Sequence, residues 1–340
     1  MKKKDSIHTI AKDLGVSATT ISFIVNGKAK ENRISNELIN RVEDHLTRIN
    51  YKPDMIAQSL RTGKSNLIGM LVEDISDVFF SAIARGIELG LENSGYKILF
   101  MSTKNNPVNA CHILSLLKEH KVDAFIIAPS PGLEEAIREL IRSGKPVILY
   151  DRYFKTLNTC NVVIDNRGGA YMGAMELFNN RYRQVAFVTL RSGQVQMVDR
   201  LLGYKDALAH AGQAKAMVLE VPYNLNVHQT ALQIRNFFRK YNAVDAVLFG
   251  TNYLAVAGLQ AIRDLGLTIA EDIGVTGFDD HTYYGLFCPS ITAVAQPITE
   301  ISRAIVHNLQ DALEGERICV PQTIVLPAQL IRRGSSVKPG

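Results

Sequence analysis

The sequence predicts a small N-terminal module with a three-helix helix-turn-helix fold, joined to an α/β body of two lobes, each a doubly wound parallel sheet. Three observations predict this architecture. Residues 6–50 show helical periodicity and no strand pattern, whereas short continuous apolar runs alternate with helical stretches from Leu67 onward. The alternation breaks near residue 160 and so divides the body into two series. At ~100–200 residues per domain, 340 residues suit two or three domains.

The composition argues against several other classes of protein. With 46% hydrophobic and 21% charged residues, the chain can bury a sizeable core, so wholesale disorder is not expected. No apolar run approaches the ~18–20 residues of a membrane span, and polar residues interrupt the segment behind the N-terminal lysines. We therefore expect a cytoplasmic protein without a secretory signal. The four cysteines are widely spaced and form no CxxC pair, which favours free thiols over a metal site.

The net charge of +5 is concentrated at one end of the chain. Residues 1–65 hold 8 Lys and 4 Arg against 4 Asp and 3 Glu, whereas the remaining residues hold 26 basic and 26 acidic side chains. This asymmetry favours a small module that faces a polyanion such as nucleic acid, attached to a larger neutral body. A basic tail that serves only solubility is the alternative.

Two short helices joined by a glycine turn are expected at the start of the chain. Ile7–Leu14 carries apolar residues at positions i, i+3, i+4 and i+7, and Gly15 suits the position just after a helix. Ser17 is a favourable N-cap for a second helix over Ala18–Val25. Two helices with such a turn between them are the pattern of a helix-turn-helix.

A third amphipathic helix is expected over about Asn36–Ile49, with Ser35 as its N-cap. In a helix-turn-helix the second helix enters the major groove of DNA, where its first residues reach base edges. Thr19 on that helix can hydrogen-bond a base or a phosphate, and Phe23 can contact a thymine methyl group. The candidate DNA-binding residues of this module are Thr9, Ser17, Ala18, Thr19, Thr20, Ser22, Phe23 and Asn26. A helical hairpin without a DNA role is the alternative.

Residues 53–65 form a linker between the two predicted parts. Pro53 suits the first turn of a short helix over Met55–Leu60. So short a helix does not hold together alone in water, and we expect it to order only when it packs on something. The string Gly63-Lys64-Ser65 is not expected to bind phosphate, because Gln58 stands where a P-loop has its first glycine and the segment precedes a strand.

The first 80 residues carry a family resemblance. The string IHTIAKDLGVSATTISFIVNGK, followed by YKPDMIAQSLRTGKSNLIGMLVEDISDVFF, resembles the start of a LacI/GalR-family transcription regulator, and the resemblance covers essentially the whole chain. It implies a headpiece, a hinge helix that folds on operator DNA and a periplasmic-binding-protein-like body. The linker motif AQSLR implies that Ala57, Leu60 and Arg61 contact DNA, with Leu60 wedged into a central base step of the minor groove. One departure is the stretch 28–33, which is longer than the usual turn before the third helix.

Continuous apolar strands separated by helices indicate buried parallel sheets in the body. The strands expected before the break are Leu67–Val72, Ile98–Met101, Phe125–Ala128 and Val147–Tyr150, and those after it are Val162–Ile164, Val185–Thr189, Val218–Val221, Val247–Phe249 and Ile273–Val275. The resemblance implies that the chain crosses between the lobes three times, so that helix 299–313 and strand 323–325 return to the first lobe. The expected domains are the headpiece 1–52, the hinge 53–65, a first lobe of 66–162 with 296–324, and a second lobe of 163–295 with 325–340.

Ligands of open α/β sheets bind at the carboxyl ends of the strands, which here face the cleft between the lobes. The candidate effector-binding residues are Phe79, Phe80, Asp151, Gln196, Arg200, Asn252, Asp279 and Gln296. The resemblance implies that Asp279 accepts hydrogen bonds from ligand hydroxyls and that Arg200 donates to vicinal hydroxyls or to a carboxylate. The alternatives are core packing for the two phenylalanines, a helix N-cap for Asp279 and a surface ion pair for Arg200.

No catalytic constellation is evident in the sequence. The motifs GxSxG and HExxH are missing, and the pair Asp279/Asp280 signals no third ligand, so we expect neither an enzyme nor a metal or cofactor site. The sequence instead predicts a DNA-binding transcription regulator, a repressor of carbohydrate-uptake or catabolic genes, controlled by a sugar or a sugar acid. We expect a homodimer on a near-palindromic operator. The alternative is a sugar-binding transport protein without a DNA role. Proteins of that class have no basic helical headpiece, whereas this sequence predicts one.

Overall fold

The structure, a computed structural model, describes residues 6–51, 63–213, 215–315 and 321–339 of a chain that divides into two compact units, 1–65 and 66–340. The first unit is the headpiece. Its helices are α1 (Ile7–Leu14), α2 (Ala18–Val25) and α3 (Asn36–Arg48). These bounds match the predicted helices, and the helix-turn-helix prediction is confirmed.

A serine side chain caps each headpiece helix. It accepts a hydrogen bond from the backbone N–H three residues later, at 3.2 Å for Ser6, 3.0 Å for Ser17 and 3.4 Å for Ser35. Gly15 ends α1 in the left-handed conformation, with φ of 69°. The core beneath the helices is small, as expected for so short a chain. Its buried members are Ile10, Ala11, Ile21, Ile24, Ala29 and Val42.

The first lobe of the body is built on a six-stranded sheet. Its strands are β1 (Leu67–Val72), β2 (Lys97–Ser102), β3 (Ala124–Ile127), β4 (Val147–Tyr150), β5 (Cys160–Ile164) and β11 (Gln322–Leu326). They lie in the order β11-β5-β4-β3-β1-β2, and every neighbouring pair is parallel. The helices of this lobe are α4 (Val78–Gly90), α5 (Pro107–Glu119), α6 (Glu134–Arg142) and α11 (Ile298–Glu314).

The second lobe repeats this architecture. Its strands are β6 (Val185–Leu190), β7 (Met217–Val221), β8 (Ala246–Phe249), β9 (Gly274–Phe278), β10 (Thr292–Ala295) and β12 (Gln329–Ile331). They lie in the order β12-β10-β9-β8-β6-β7, and β12 alone runs antiparallel to its neighbour among the described strands. The helices are α7 (Asn166–Asn179), α8 (Val195–His210), α9 (Val227–Lys240), α10 (Asn252–Asp264) and a 3₁₀ turn over Thr282–Leu286.

The predicted two-lobed fold is confirmed, but the points at which the chain crosses between lobes differ from expectation. β5 pairs with β4 and β11, so the strand expected to open the second series belongs to the first sheet. The expected boundaries 162/163 and 324/325 fall inside β5 and β11, because a paired strand stays in its sheet until its ladder ends. The chain therefore crosses after Ile164 and Leu326. β10 and β12 were not predicted, because their sequences, TAVA and QLI, contain no continuous run of bulky apolar residues like those of the predicted strands.

A close approach of α7 and α8 positions part of the functional site. Gly203 on α8 faces the backbone of α7, where a β-carbon would overlap the carbonyl of Arg167. Glycine at this position lets the two helices meet backbone to backbone. Arg200, one turn earlier on α8, consequently reaches Asn166 at the start of α7.

The expectations about the cysteines and about membrane-spanning helices can be compared with the structure. Cys111 and Cys288 are free thiols at the surface, and Cys319 lies outside the described residues. Within the described ranges, no helix is both long and apolar enough to cross a bilayer.

Candidate effector site and DNA-binding surface

The candidate effector site lies between the two lobes of the body, where strand ends from both sheets meet. Asp151 and Arg152 directly follow β4, and Asp279 directly follows β9. Two helix starts reach the same place. Asp77 caps α4 by accepting a hydrogen bond of 2.8 Å from the N–H of Phe79, and Asn252 is the first residue of α10.

One cavity of about 40 Å³ is lined by all the predicted effector residues. The structure thus brings together Phe79, Phe80, Asp151, Gln196, Arg200, Asn252, Asp279 and Gln296. The lining also includes residues that sequence analysis did not select: Glu73, Asp77, Arg152, Leu190, Gln194, Met197, Thr251 and Tyr253. A water molecule takes about 30 Å³ of liquid volume, so a larger ligand has to open this cleft as it enters.

Arg200 is held rigidly in the floor of the cavity. It is 2% exposed, and its Nε donates to Asn166 Oδ1 at 2.8 Å while Nη1 donates to the carbonyl of Gly250 at 2.7 Å. Its guanidinium lies 3.6 Å from the ring centroid of Phe278 and 4.0 Å from the Asp279 carboxylate. Burial lowers the pKa of Arg200. The alternative of a surface ion pair is wrong, because Arg200 is a buried, preoriented donor.

The two aspartates that end strands adopt an uncommon backbone conformation. Asp151 has φ of 65° and Asp279 has φ of 67°, in the left-handed region that few non-glycine residues adopt, although aspartate and asparagine enter it more often than most. Gln296 donates a hydrogen bond of 2.6 Å to Asp279 Oδ1, which fixes that carboxylate toward the cavity. Asp279 is not a helix N-cap, since the 3₁₀ turn that follows is capped by His281.

Phe79 and Phe80 belong to the core and to the cavity wall at once. They are 8% and 6% exposed, and their rings meet edge to face with centroids 5.0 Å apart. Phe80 also contacts the ring of Tyr150, at 6.2 Å. Core packing of these phenylalanines is therefore confirmed, and they also line the cavity, whereas their contact with an effector stays a prediction.

Glu73 and Arg152 form a buried ion pair that sequence analysis missed. Their side chains are 13% and 4% exposed, and Arg152 Nη2 donates to Glu73 Oε2. The Arg152 Nε atom lies 3.2 Å from Asp151 Oδ2 but makes no hydrogen bond with any described residue. The strand-end rule points to these residues, since Glu73 directly follows β1 and Arg152 stands beside the selected Asp151, but it does not show that Glu73 and Arg152 pair with each other.

Hydrogen bonds cross the cleft from one lobe to the other. Asn252 Nδ2 donates to Asp77 Oδ2 at 3.1 Å, and Gln194 Nε2 donates to Asn105 Oδ1 at 3.1 Å. These polar contacts hold the two lobes together around the cavity.

Two cavity carboxyls have raised pKa values. Burial, together with the negative charge of Asp279, raises the pKa of Asp77 to about 6, although the hydrogen bond from Asn252 opposes the shift. Burial also raises the pKa of Asp151 to about 6, against the attraction of Arg152 and Arg200. Both carboxyls are therefore desolvated groups that gain from a hydrogen-bond donor.

The DNA-binding candidates of the headpiece differ in exposure. Thr19 is exposed, whereas Ser22 and Phe23 are half-buried. Ala18 was expected on the exposed face, but it packs against the headpiece core because it lies one helical turn before Ile21, on the same side of α2.

Several candidate hydroxyl and amide groups make local hydrogen bonds. The hydroxyl groups of Thr9 and Thr20 lie 3.0 and 2.8 Å from those of the capping serines, Ser6 and Ser17. Asn26 Nδ2 donates to the carbonyl and hydroxyl oxygens of Ser22. The hinge candidates Ala57, Leu60 and Arg61 lie outside the described residues.

The long stretch after α2 is anchored to the headpiece. Ala29 is 6% exposed, and the N–H of Lys28 donates to the carbonyl of Phe23 at 2.8 Å. Ile34 in turn donates to the carbonyl of Ala29 at 3.0 Å. Lys28 and Lys30 remain exposed on this turn.

Comparisons with known proteins agree with this arrangement. Residues 174–336 match the model of the periplasmic binding protein-like domain. The chain is 30% identical to the HTH-type transcriptional regulator KdgR of Bacillus subtilis over 98% of this chain and 100% of the relative, and 28% identical to the sucrose operon repressor of Pediococcus pentosaceus over 97% and 98%. The lac repressor dimer bound to operator superposes with a TM-score of 0.85 at 21% identity, over 98% of this chain and 100% of that chain. The chain therefore belongs to the LacI/GalR family of ligand-controlled, DNA-binding transcription regulators.

Proposed function

We propose that this protein is a repressor that binds a near-palindromic operator as a homodimer. A neutral sugar bound between the lobes changes its affinity for that operator. The observation that carries the proposal is the ring of polar side chains contributed by both lobes, with Asp279 fixed beside the buried Arg200. Such a ring recognises hydroxyl groups by accepting and donating hydrogen bonds at fixed positions. The same geometry lets a bound ligand bridge the lobes.

The charges around the cavity favour a neutral sugar over a sugar acid. Among the described lining residues, carboxylates come from Glu73, Asp77, Asp151 and Asp279, whereas the positive charges are those of Arg152 and Arg200. Arg152 is already paired with Glu73, and Arg200 already donates to two oxygens. A carboxylate ligand therefore meets a net negative site, while sugar hydroxyls can donate to the remaining acceptor positions of these carboxylates.

Names of relatives support the carbohydrate class. The relatives include a sucrose operon repressor and a ribose operon repressor, and a structural neighbour with a TM-score of 0.70 is a CelR–cellobiose complex. We propose that the present protein likewise responds to a carbohydrate, works in the cytoplasm where operators are, and binds its ligand without transforming it.

Effector and operator binding are coupled in this proposal. A ligand that favours one arrangement of the lobes changes the distance between the two hinge segments of the dimer, and therefore changes operator affinity. Such coupling is reciprocal and typically amounts to ~1–3 kcal/mol. The DNA contacts proposed for the headpiece are Thr19, Ser22 and Phe23 on α2, with Lys28 and Lys30 near the phosphates.

To test the proposal, an operator is selected from a pool of random duplexes. It is then titrated with the protein in the presence and in the absence of each sugar of a panel. We expect one sugar to change operator affinity by about 5- to 150-fold. Asp279→Ala should abolish that response and leave operator binding without sugar nearly intact, whereas Asp264→Ala, on the exposed end of α10, should behave as wild type. If no neutral sugar changes operator affinity, or if a sugar acid does so alone, the proposal is wrong.

A further inference from the structure

A second cavity opens beside the central one. Its volume is about 550 Å³, and it lies between the segments 129–134 and 152–156 of the first lobe and the start of α8, 193–199, in the second. It shares Arg152 and Gln194 with the central cavity, so the two spaces adjoin. Ligand sites commonly measure ~300–1,000 Å³, which the side cavity reaches and the central cavity does not.

An aromatic wall forms one side of this side cavity. Tyr153 and Phe154 are half-buried, and both pack against the apolar core of the first lobe. Their position is fixed by the core behind them, and they line the cavity. An aromatic surface of this kind can stack on the apolar C–H face of a sugar ring.

Charge around the side cavity is balanced. Its charged lining residues are the acids Glu134 and Asp199 and the bases Arg152 and Lys155. A neutral lining with polar groups at the rim and aromatic rings on one wall suits a neutral polyhydroxylated ring. It gives no net attraction to an anion or to a cation.

Two buried side chains that line the central cavity carry polar atoms that make no hydrogen bond with the described residues. Arg152 is 3% exposed and lines both spaces, and its Nε donates to none of the described residues. Gln196, also 3% exposed, lines the central cavity, and its Oε1 accepts from none of them. Buried polar atoms normally find partners, so Gln196 Oε1 points to a ligand in the central cavity. Arg152 Nε lies 3.2 Å from the Asp151 carboxylate, and because Arg152 lines both spaces it can also contact a ligand that extends into the side cavity.

We propose that the side cavity is a second sugar subsite, so that the effector is a disaccharide or a glycoside rather than a monosaccharide. One ring binds among Asp279, Arg200 and Gln196, and the second ring lies against Tyr153 and Phe154. This inference rests on the proposed function, since it adds a second ring to the same neutral sugar.

The test fills the side cavity without touching the central one. Val198 is 41% exposed and lines the side cavity, so Val198→Trp places a large ring there with little cost to folding. Leu202, one turn later on α8, is 38% exposed and does not line this cavity, which makes Leu202→Trp a matched control. Titration calorimetry on the full chain compares glucose with maltose and cellobiose, and fructose with sucrose.

For wild type we expect one disaccharide to bind at least 10-fold more tightly than its constituent monosaccharide. Val198→Trp should remove that advantage and leave monosaccharide binding unchanged, while Leu202→Trp should keep both affinities. Phe154→Ala should weaken the disaccharide selectively, and Phe154→Tyr should restore its binding. This second pair keeps the test decisive if Val198→Trp fails to fold.

Two results overturn the second subsite and leave the central site standing. One is a monosaccharide that binds as tightly as any disaccharide, shifts operator affinity and is unaffected by Val198→Trp. The other is tighter binding of glucose 6-phosphate than of the neutral disaccharides, which would make the side cavity an anion site. If no sugar binds wild type at all, the second subsite and the proposed function fail together.

Discussion

The headpiece and the effector cleft are built by contacts of very different range. Each headpiece cap joins residues three apart in sequence. In the cleft, hydrogen bonds made by Arg200, Arg152 and Asn252 reach partners 34, 79 and 175 residues away. The headpiece thus follows from local sequence patterns, whereas the cleft exists only after two sheets have assembled. The large body can therefore bury charged side chains such as Arg152 and Arg200, whereas the buried members of the small headpiece core are apolar.

The largest expected difference between the two regions is in the stability lost when a glycine is replaced by alanine. Gly203→Ala forces a β-carbon into the backbone of α7 and should destabilise the body by about 3 kcal/mol or more. Gly27→Ala in the headpiece meets open space and should cost about 1–2 kcal/mol, because its φ of 69° disfavours alanine. Urea unfolding followed by far-UV circular dichroism measures both. Equal losses would show that close helix packing does not distinguish the two regions.

Specific binding to the operator should depend on Leu60 of the hinge as well as on the headpiece helices. On the family resemblance, Leu60→Ala should weaken operator binding by a few kcal/mol for the dimer, because the wedge that compensates base unstacking is lost. Binding to a random duplex depends on phosphate contacts and should follow salt concentration instead. Titration against both duplexes at two salt concentrations separates these effects. A similar loss on both duplexes would show that the linker is a plain tether.

The desolvated carboxyls of the cleft should make body stability depend on pH. Asp77 has an ordinary pKa of 3.8 and a raised pKa of about 6 in the folded chain, so the folded state holds its proton more tightly. The resulting stabilisation is complete below about pH 4 and is lost as pH rises to about 6, a change of about 2–3 kcal/mol. Asp77→Asn should remove this contribution and keep that of Asp151, so that the loss of stability between pH 4 and pH 7, measured by urea unfolding, becomes smaller than in wild type.

Asp264→Asn is the control for this pH dependence, because Asp264 lies on the exposed end of α10 and outside the cleft. It should leave the slope between pH 4 and pH 6 as in wild type. A wild-type body that gains stability over that range would contradict the burial of Asp77 as a desolvated acid.

The smallest expected effect lies in the headpiece. Ser17→Ala removes the cap of α2 and should lower headpiece stability by about 1 kcal/mol. Thr19→Ala, two residues later at an exposed position, should leave stability within about 0.5 kcal/mol and weaken DNA binding instead. Thermal unfolding should show the stability loss of Ser17→Ala, and operator titration should show the affinity loss of Thr19→Ala. If Thr19→Ala changes neither, Thr19 has no part in DNA binding.

Sequence reasoning located the cleft residues well where they directly follow a strand or match the family pattern. Asp151, Asn252 and Asp279 were found in this way, and all line the cavity. Asp77 was not selected, because it gains its role from a partner on the other lobe. Ala18 was misplaced because a helix of two turns offers too little periodicity to separate its faces.

The sequence by itself determined the headpiece helices, the serine caps of α2 and α3, the two-lobed α/β class and the family, because periodicity, capping and motif spacing are local properties of a chain. Tertiary structure decided where the chain changes sheet, since β5 and β11 belong to the first lobe only through their pairing. It also decided the burial of Arg200, the raised pKa values of Asp77 and Asp151, and the side cavity beside them. These properties depend on which distant groups exclude water from a site, and no segment of sequence specifies that alone.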